Sequence, residues 1–140
     1  MPMNQTKGKS LEQVAEEGGR YPVEAFEFVK HGLNHTVRQV HGEARAKSEG
    51  ACHVSGQQLS WGLRNYAVMR YGFLARTVLG HWGICRTSDF GRIVFAMVES
   101  KLLQKTDQDD LGDFDSVFDF DTAFHAPVRP ESTATAVFSL

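Results

Sequence analysis

The side chains of this 140-residue chain with the clearest potential for chemistry are histidines. His31 and His35 are four residues apart, a spacing that places two imidazoles on one face of a helix, as in zinc sites. A third ligand would have to come from Cys52 or His53. His53 directly precedes a predicted helix and could serve as a general base, but no G-x-S-x-G motif supplies a nucleophile. We therefore predict a solvated histidine pair, a structural His53, and no catalytic residue, metal or cofactor.

Two short stretches resemble phosphate-handling motifs. Residues 8–10 read Gly-Lys-Ser, like the end of a phosphate-binding loop, but Met3 stands where the first glycine belongs and no strand precedes it. Residues 89–91 read Asp-Phe-Gly, the kinase triplet, in a chain too short for a kinase and without its catalytic loop. Neither stretch predicts phosphoryl transfer.

Residues 107–118 place aspartates at several ligand positions of a calcium-binding loop. However, Leu111 and Phe118 occupy two positions that need oxygen donors, so we predict no specific calcium site. Cys85 lies near a predicted helix start, where the thiolate form of a cysteine can be stabilised. We predict a buried, unreactive thiol there.

The charges of the chain are unevenly distributed along it. Between Glu49 and Asp89 there is no acidic residue, and four arginines occur: Arg64, Arg70, Arg76 and Arg86. Between Lys105 and Arg129 there is no basic residue, and seven aspartates occur among four phenylalanines. Such an acidic segment cannot form a core alone, so its rings are expected to pack on another surface. We call residues 106–125 the strap.

The composition indicates a globular protein. The chain is 41% hydrophobic and 23% charged, which is near the average for folded domains, and its length suits one core. A net charge of −2 does not suggest a general nucleic-acid binder or a membrane-surface protein. No apolar run approaches the roughly 20 residues of a membrane span. Without a signal-peptide stretch, Cys52 and Cys85 are most simply free thiols, which predicts a cytoplasmic protein.

The spacing of apolar residues predicts an all-α fold, a compact bundle of five to six helices with the acidic strap packed on it. A single helical domain is expected over residues 10–125. Residues 1–9 and 126–140 are expected to be flexible termini, and residues 42–52 an exposed loop.

Capping signals set the first helix boundaries. Ser10 can cap a helix over residues 11–17, which two glycines would end. The second helix is expected over Pro22–His41, because proline is accepted in a first helical turn. Gly32 lies inside it at a cost of roughly 1 kcal/mol against alanine, so a close helix crossing is expected there.

Three further helices follow. Ser55 and Gln58 have the spacing of a capping box for the third helix, whose inward face includes Leu59 and which ends at Gly72. The fourth is expected over Phe73–His81. The fifth has capping oxygens at residues 87–89 and an apolar stripe formed by Phe90, Ile93, Val94, Met97, Val98 and Leu102.

Several pairs and triplets between Tyr21 and Phe124 form a specific combination. They are Phe28-Val29, Gly32-Leu33, Thr36, His53, Gly56, Leu59, Gly62-Leu63-Arg64, Tyr66-Ala67, Tyr71-Gly72, Leu74-Ala75, Val78-Leu79, Trp82-Gly83-Ile84, Thr87, Asp89-Phe90-Gly91, Ile93-Val94-Phe95, Asp113-Phe114, Phe118-Asp119-Phe120 and Ala123-Phe124. With them, about three quarters of the chain resembles an uncharacterised family of small proteins from planctomycete and verrucomicrobial bacteria. The resemblance implies a self-contained domain that includes the strap, and it implies no activity, cofactor or catalytic residue.

The sequence predicts a non-enzymatic protein-interaction or assembly module, because an amphipathic strap occurs without a catalytic constellation. Its partner would be an unknown protein or a second copy, and no membrane is expected. The strap is expected to pack in cis, with its aspartates near arginines. The candidate interaction residues are Arg64, Arg70, Arg76, Arg86, Arg92, Asp113, Phe114, Phe118, Asp119, Phe120 and Phe124.

The alternative function is nucleic-acid binding through the Arg64–Arg92 region. Residues 74–94 would form a helix-turn-helix with its turn at residues 82–84, and arginines would contact phosphates. Against this alternative, Asp89 lies at the start of the proposed recognition helix, where a phosphate needs free amide donors. That helix also has little polar surface for reading bases.

Overall fold

The computed structural model describes residues 10–42, 54–103 and 110–125. These residues form six α-helices and two 3₁₀-helices, with no strand among them, which confirms the all-α fold. The elements are α1 (Leu11–Gly18), α2 (Val23–His41), α3 (Gly56–Tyr71), η1 (Gly72–Leu74), α4 (Ala75–His81), α5 (Thr87–Glu99), η2 (Leu111–Phe114) and α6 (Phe120–His125). The predicted termini 1–9 and 126–140, residues 43–52 of the predicted loop, and His53 lie outside the described residues.

Capping boxes start both α1 and α3; the sequence predicted the box at α3 and, at α1, a cap by Ser10. The Ser10 hydroxyl accepts a hydrogen bond from Gln13 N, and the Gln13 side chain accepts one from Ser10 N. Ser55 and Gln58 make the same reciprocal pair at 3.0 and 2.9 Å. Each box satisfies backbone donors that a helix start would otherwise leave unpaired, which fixes where the helix begins.

Helices α2 and α3 cross closely, and glycines make the crossing possible. A Cβ on Gly32 would collide with the Leu63 side chain, and one on Gly62 would lie 2.6 Å from Thr36 Cγ2. The predicted close crossing at Gly32 is therefore confirmed, and Gly62 of the opposite helix completes it. Thr36 is buried at this crossing, and its hydroxyl donates to the Gly32 carbonyl at 2.7 Å.

Helix α5 lies at the centre of the domain. It packs against α1, α2, α3 and η2. Phe90, Ile93 and Met97 of its predicted apolar stripe are almost fully buried. Because η2 belongs to the strap, the strap covers part of α5 directly.

Two predicted helix starts are wrong, and a third is confirmed. Pro22 occupies the N-cap position of α2 without a side-chain hydrogen bond, and the helix itself begins at Val23. The fourth helix begins at Ala75, because Gly72, at a φ of 60°, turns the chain into the short η1 first. The predicted cap of α5 is confirmed, because Asp89, one of the three candidate residues, accepts hydrogen bonds from Cys85 N and Arg86 N at 2.8 and 3.2 Å.

Candidate functional site

The described part of the strap packs on the helical body in cis, with its rings inward. Phe114 and Phe120 are buried, and Phe118 and Phe124 are partly buried against the core. Phe114 lies over two glycines, since a Cβ on Gly91 would be 2.9 Å from its ring and one on Gly56 would be 3.1 Å from it. Because Gly56 of α3 and Gly91 of α5 have no Cβ, the two helices leave a recess that accepts this ring.

Polar contacts also hold the strap. The Thr87 hydroxyl donates to the Phe114 carbonyl at 2.6 Å and accepts from Val117 N at 3.1 Å. At the far end, Arg64 Nε and Nη2 donate to the Ala123 carbonyl at 3.1 and 2.9 Å. Arg64 is only 7% exposed, and burial lowers its pKa. Three of the candidate interaction residues, Arg64, Phe114 and Phe120, are therefore internal contacts of the fold.

The strap aspartates mostly serve the strap itself. Asp113 accepts from Asp110 N at 3.1 Å within η2, and Asp119 accepts from Thr122 N at 3.1 Å at the start of α6. Both caps stabilise short helices whose first amide groups would otherwise be unpaired. The expected pairing of strap aspartates with arginines occurs, among the described residues, between Asp121 and Arg76.

Asp89 is the centre of a buried polar cluster at the start of α5. The Tyr21 hydroxyl donates to its Oδ1 at 2.5 Å, and Arg92 Nη1 donates to the same atom at 2.7 Å. Burial raises the pKa of the Asp89 carboxyl, but hydrogen bonds from Tyr21, Cys85 N and Arg86 N and the charge of Arg92 outweigh it, so that the pKa is lowered. Burial and the bond to Asp89 raise the pKa of Tyr21. The cluster ties the segment before α2 to α5.

The histidine and cysteine predictions are partly wrong. His31 is exposed as expected, but His35 is half-buried, with its ring centroid 5.3 Å from that of Tyr66. Burial, followed by the charge of Arg38, lowers the pKa of His35. Cys85 is exposed, not buried, because the turn before α5 leaves it at the surface. The described ranges contain no group of residues able to hold a metal ion.

Helices α4 and α5 do follow each other through a turn at residues 82–84, as the helix-turn-helix alternative requires. However, α5 is packed against four other elements and is covered by the strap at Gly91. Arg92 of this helix is paired with Asp89. Little of α5 is left to enter a groove of DNA.

The most unusual surface lies between α3 and α4, and Arg70 is its one residue that the sequence indicated as an interaction candidate. Phe73 is 94% exposed, Met69 61% and Leu74 50%. Arg70 is also exposed, and its guanidinium carbon lies 5.8 Å from the Tyr66 ring centroid and 5.9 Å from that of Tyr71. We call Met69, Arg70, Phe73 and Leu74 the Phe73 corner.

Helical periodicity in the sequence predicts that these apolar residues are buried, although they are exposed. Phe73 and Leu74 look like the beginning of an amphipathic helix, whose large apolar residues normally face the core. In the structure η1 packs mainly on its sequence neighbours α3 and α4, so its side chains project from the body. Gly72 followed by two large apolar residues is the sequence signal that could have indicated an apolar turn.

Comparisons with protein-family models, with curated proteins and with solved structures found no match for this chain. The resemblance to the planctomycete and verrucomicrobial family therefore stays a prediction. None of the described helices is long and apolar enough to cross a membrane.

Proposed function

We propose that this chain is a cytoplasmic, non-enzymatic protein-interaction module that docks a partner protein on the Phe73 corner. The observation that carries the proposal is the exposure of Phe73, 94% of whose surface is open to solvent. Large exposed apolar patches rimmed by polar residues mark interaction sites. Aromatic and arginine side chains are enriched among the few residues that contribute most of the binding energy at an interface. The corner combines both kinds of residue.

The groups that could have suggested an enzyme have structural partners. Tyr21, Asp89 and Arg92 bond one another, and Arg64 bonds a carbonyl of the strap. His35 packs against Tyr66. Burial lowers the pKa of Arg64 and, together with the charge of Arg38, that of His35, while the bonds within the Tyr21, Asp89 and Arg92 cluster contribute to the shifts there. Each shifted pKa has a cause within the fold, which supports a binding role over a catalytic one. The free, exposed thiol of Cys85 fits a reducing compartment and supports the cytoplasmic location.

The proposed interaction surface therefore differs from the one predicted from the sequence. The strap rings Phe114 and Phe120 are core residues, so removing the strap would expose the body rather than delete a docking peptide. Nucleic-acid binding has less support, because α5 is enclosed and Arg64, Arg76 and Arg92 already have partners. A steep loss of affinity with salt in gel-shift assays would be its signature.

The proposal is tested by comparing three baits in lysate of cells that make the protein naturally. The baits are the full chain, its Phe73→Ser/Leu74→Ser variant, and the control Leu111→Ser, which removes an apolar residue 43% exposed on the strap. We expect the wild type and the control to capture the same protein and the double variant to lose it. Equal capture by all three baits, or no capture above empty resin, would count against docking at the corner.

A further inference from the structure

We infer that the occupant of the Phe73 corner is an acidic amphipathic segment of another protein. An apolar side chain of that segment would pack on Met69, Phe73 and Leu74, while a carboxylate would meet the Arg70 guanidinium. This inference rests on the proposed function and specifies its partner by charge and polarity.

The Phe73 corner contains one cation and no acidic residue. The described segment 54–88, which contains the whole corner, has no acidic residue. Arg70 is exposed, and its hydrogen bond is to the Tyr66 hydroxyl at 3.4 Å. No carboxylate within the described ranges forms a salt bridge with Arg70. The corner therefore offers an apolar surface beside a cation whose charge no carboxylate of the described residues neutralises.

The position of Arg70 favours a carboxylate over a neutral group. Its guanidinium lies near the rings of Tyr66 and Tyr71, at 5.8 and 5.9 Å from their centroids. Tyr71 is itself packed, with its ring centroid 6.4 Å from Phe28 and 6.1 Å from Trp82. A guanidinium held in this way loses less freedom on binding, and its planar donors suit the two oxygens of a carboxylate.

A second copy of the chain fits the corner less well. In a symmetric dimer built on this patch, each corner would meet the same corner of its partner. Arg70 of one copy would then approach Arg70 of the other, because the patch contains no acid to separate them. Like charges brought together at an interface weaken it.

An anionic membrane surface also fits less well. Arg76, three residues from Phe73, is already paired with Asp121, and α4 contacts α6. Asp119, directly before α6, and Asp121, within it, are exposed. A broad anionic surface would meet these carboxylates together with Arg70, whereas a narrow peptide could contact the corner alone.

The probe that tests this inference is a random peptide library displayed on phage. The library is selected on the folded full-length chain and counter-selected on Phe73→Ser/Leu74→Ser, so that only corner-dependent peptides survive. We expect the survivors to combine aromatic or aliphatic residues with Asp or Glu. The affinity of one synthetic survivor is then measured by fluorescence anisotropy for the wild type, Arg70→Glu and the control Arg86→Glu, which reverses an exposed charge outside the corner.

We expect the affinity of the peptide to fall at least about tenfold for Arg70→Glu and less than about twofold for Arg86→Glu. Neutral or basic survivors, or equal losses for both arginine variants, would overturn the acidic partner while leaving docking at the corner intact. No survivors at all would count against the proposed function itself. A dimer in sedimentation velocity, or binding to vesicles containing phosphatidylserine, would overturn the inference if Phe73→Ser abolished either one.

Discussion

The Thr87 hydroxyl joins helix α5 to the strap by donating a 2.6 Å hydrogen bond to the Phe114 carbonyl. The same oxygen accepts from Val117 N at 3.1 Å, so one side chain satisfies two backbone groups of a segment that has few backbone bonds of its own. Thr87 is almost fully buried, and so is the Phe114 ring beside it. The strap is therefore fixed by a polar contact as well as by its rings.

Replacing Thr87 with valine tests this contact. Thr87→Val keeps the shape of the side chain but leaves a buried carbonyl and an amide without their partner, which costs about 1–3 kcal/mol. Thr87→Ser keeps the hydroxyl and loses only a methyl group. We expect urea denaturation to show a larger loss of stability for valine than for serine. The reverse order would mean that the methyl group, not the hydroxyl, holds the strap.

The crossing of α2 and α3 predicts a coupled pair of substitutions. Gly62→Ala gains helix propensity of about 1 kcal/mol, but its Cβ would meet the buried Thr36 side chain, at a cost of about 1–3 kcal/mol. We therefore expect a net loss of stability that Thr36→Ala relieves in the double variant. Free energies of unfolding from a double-mutant cycle measure this coupling. Strictly additive effects would show that the two positions do not touch.

The Asp89 cluster predicts a pH dependence. A carboxyl whose pKa is lowered on folding stabilises the protein fully above its ordinary pKa, and this contribution is lost as the pH falls through the lower pKa of the folded state. Asp89→Asn should cost about 1.5–3 kcal/mol at pH 7, because it removes a charged acceptor of four hydrogen bonds.

Stability measured against pH for wild type and Asp89→Asn checks this prediction. The difference in the free energy of unfolding between the two proteins should be constant near neutral pH. It should shrink in the acid range, below the ordinary aspartate pKa. Tyr21→Phe, which removes one of the donors, should give a smaller difference of the same sign. A gap that does not change with pH would contradict the assigned role of the Asp89 charge.

Two phenylalanines provide a comparison of surface with core. Phe73→Ala should change the free energy of unfolding by no more than about 0.5 kcal/mol, because the side chain is exposed. Phe114→Ala should cost about 3–5 kcal/mol, because the ring is buried over Gly56 and Gly91. Thermal or urea denaturation of wild type and both variants measures these changes in the free energy of unfolding. Similar losses for the two would show that Phe73 contributes to the core and is not a free docking surface.

Local signals in the sequence gave most of the fold correctly. The Ser55 and Gln58 pair set the start of α3, and Gly32 marked the helix crossing. The alternation of rings and aspartates predicted that Phe114 and Phe120 would be buried in cis. These features succeed because each depends on neighbours in the chain or on simple apolar burial.

The errors arise where tertiary contacts decide the outcome. Asp113 and Asp119 cap nearby amides, which the long-range charge pattern did not indicate. His35 shares its helix with His31 but packs on Tyr66, a residue of another helix. Phe73 has the periodicity of a core residue and is exposed because, among the described elements, η1 packs mainly on its sequence neighbours α3 and α4. Exposure of an apolar residue depends on what is absent around it, which no local pattern contains.

Photo-cross-linking in living cells tests docking at the Phe73 corner most directly. The full chain carries the photoreactive residue p-benzoylphenylalanine at position 73 or, as a control on the strap, at position 111. Docking at the corner predicts a discrete adduct from position 73 that Arg70→Glu weakens, and none of the same size from position 111. The same adducts from both positions, or none from position 73, would contradict it.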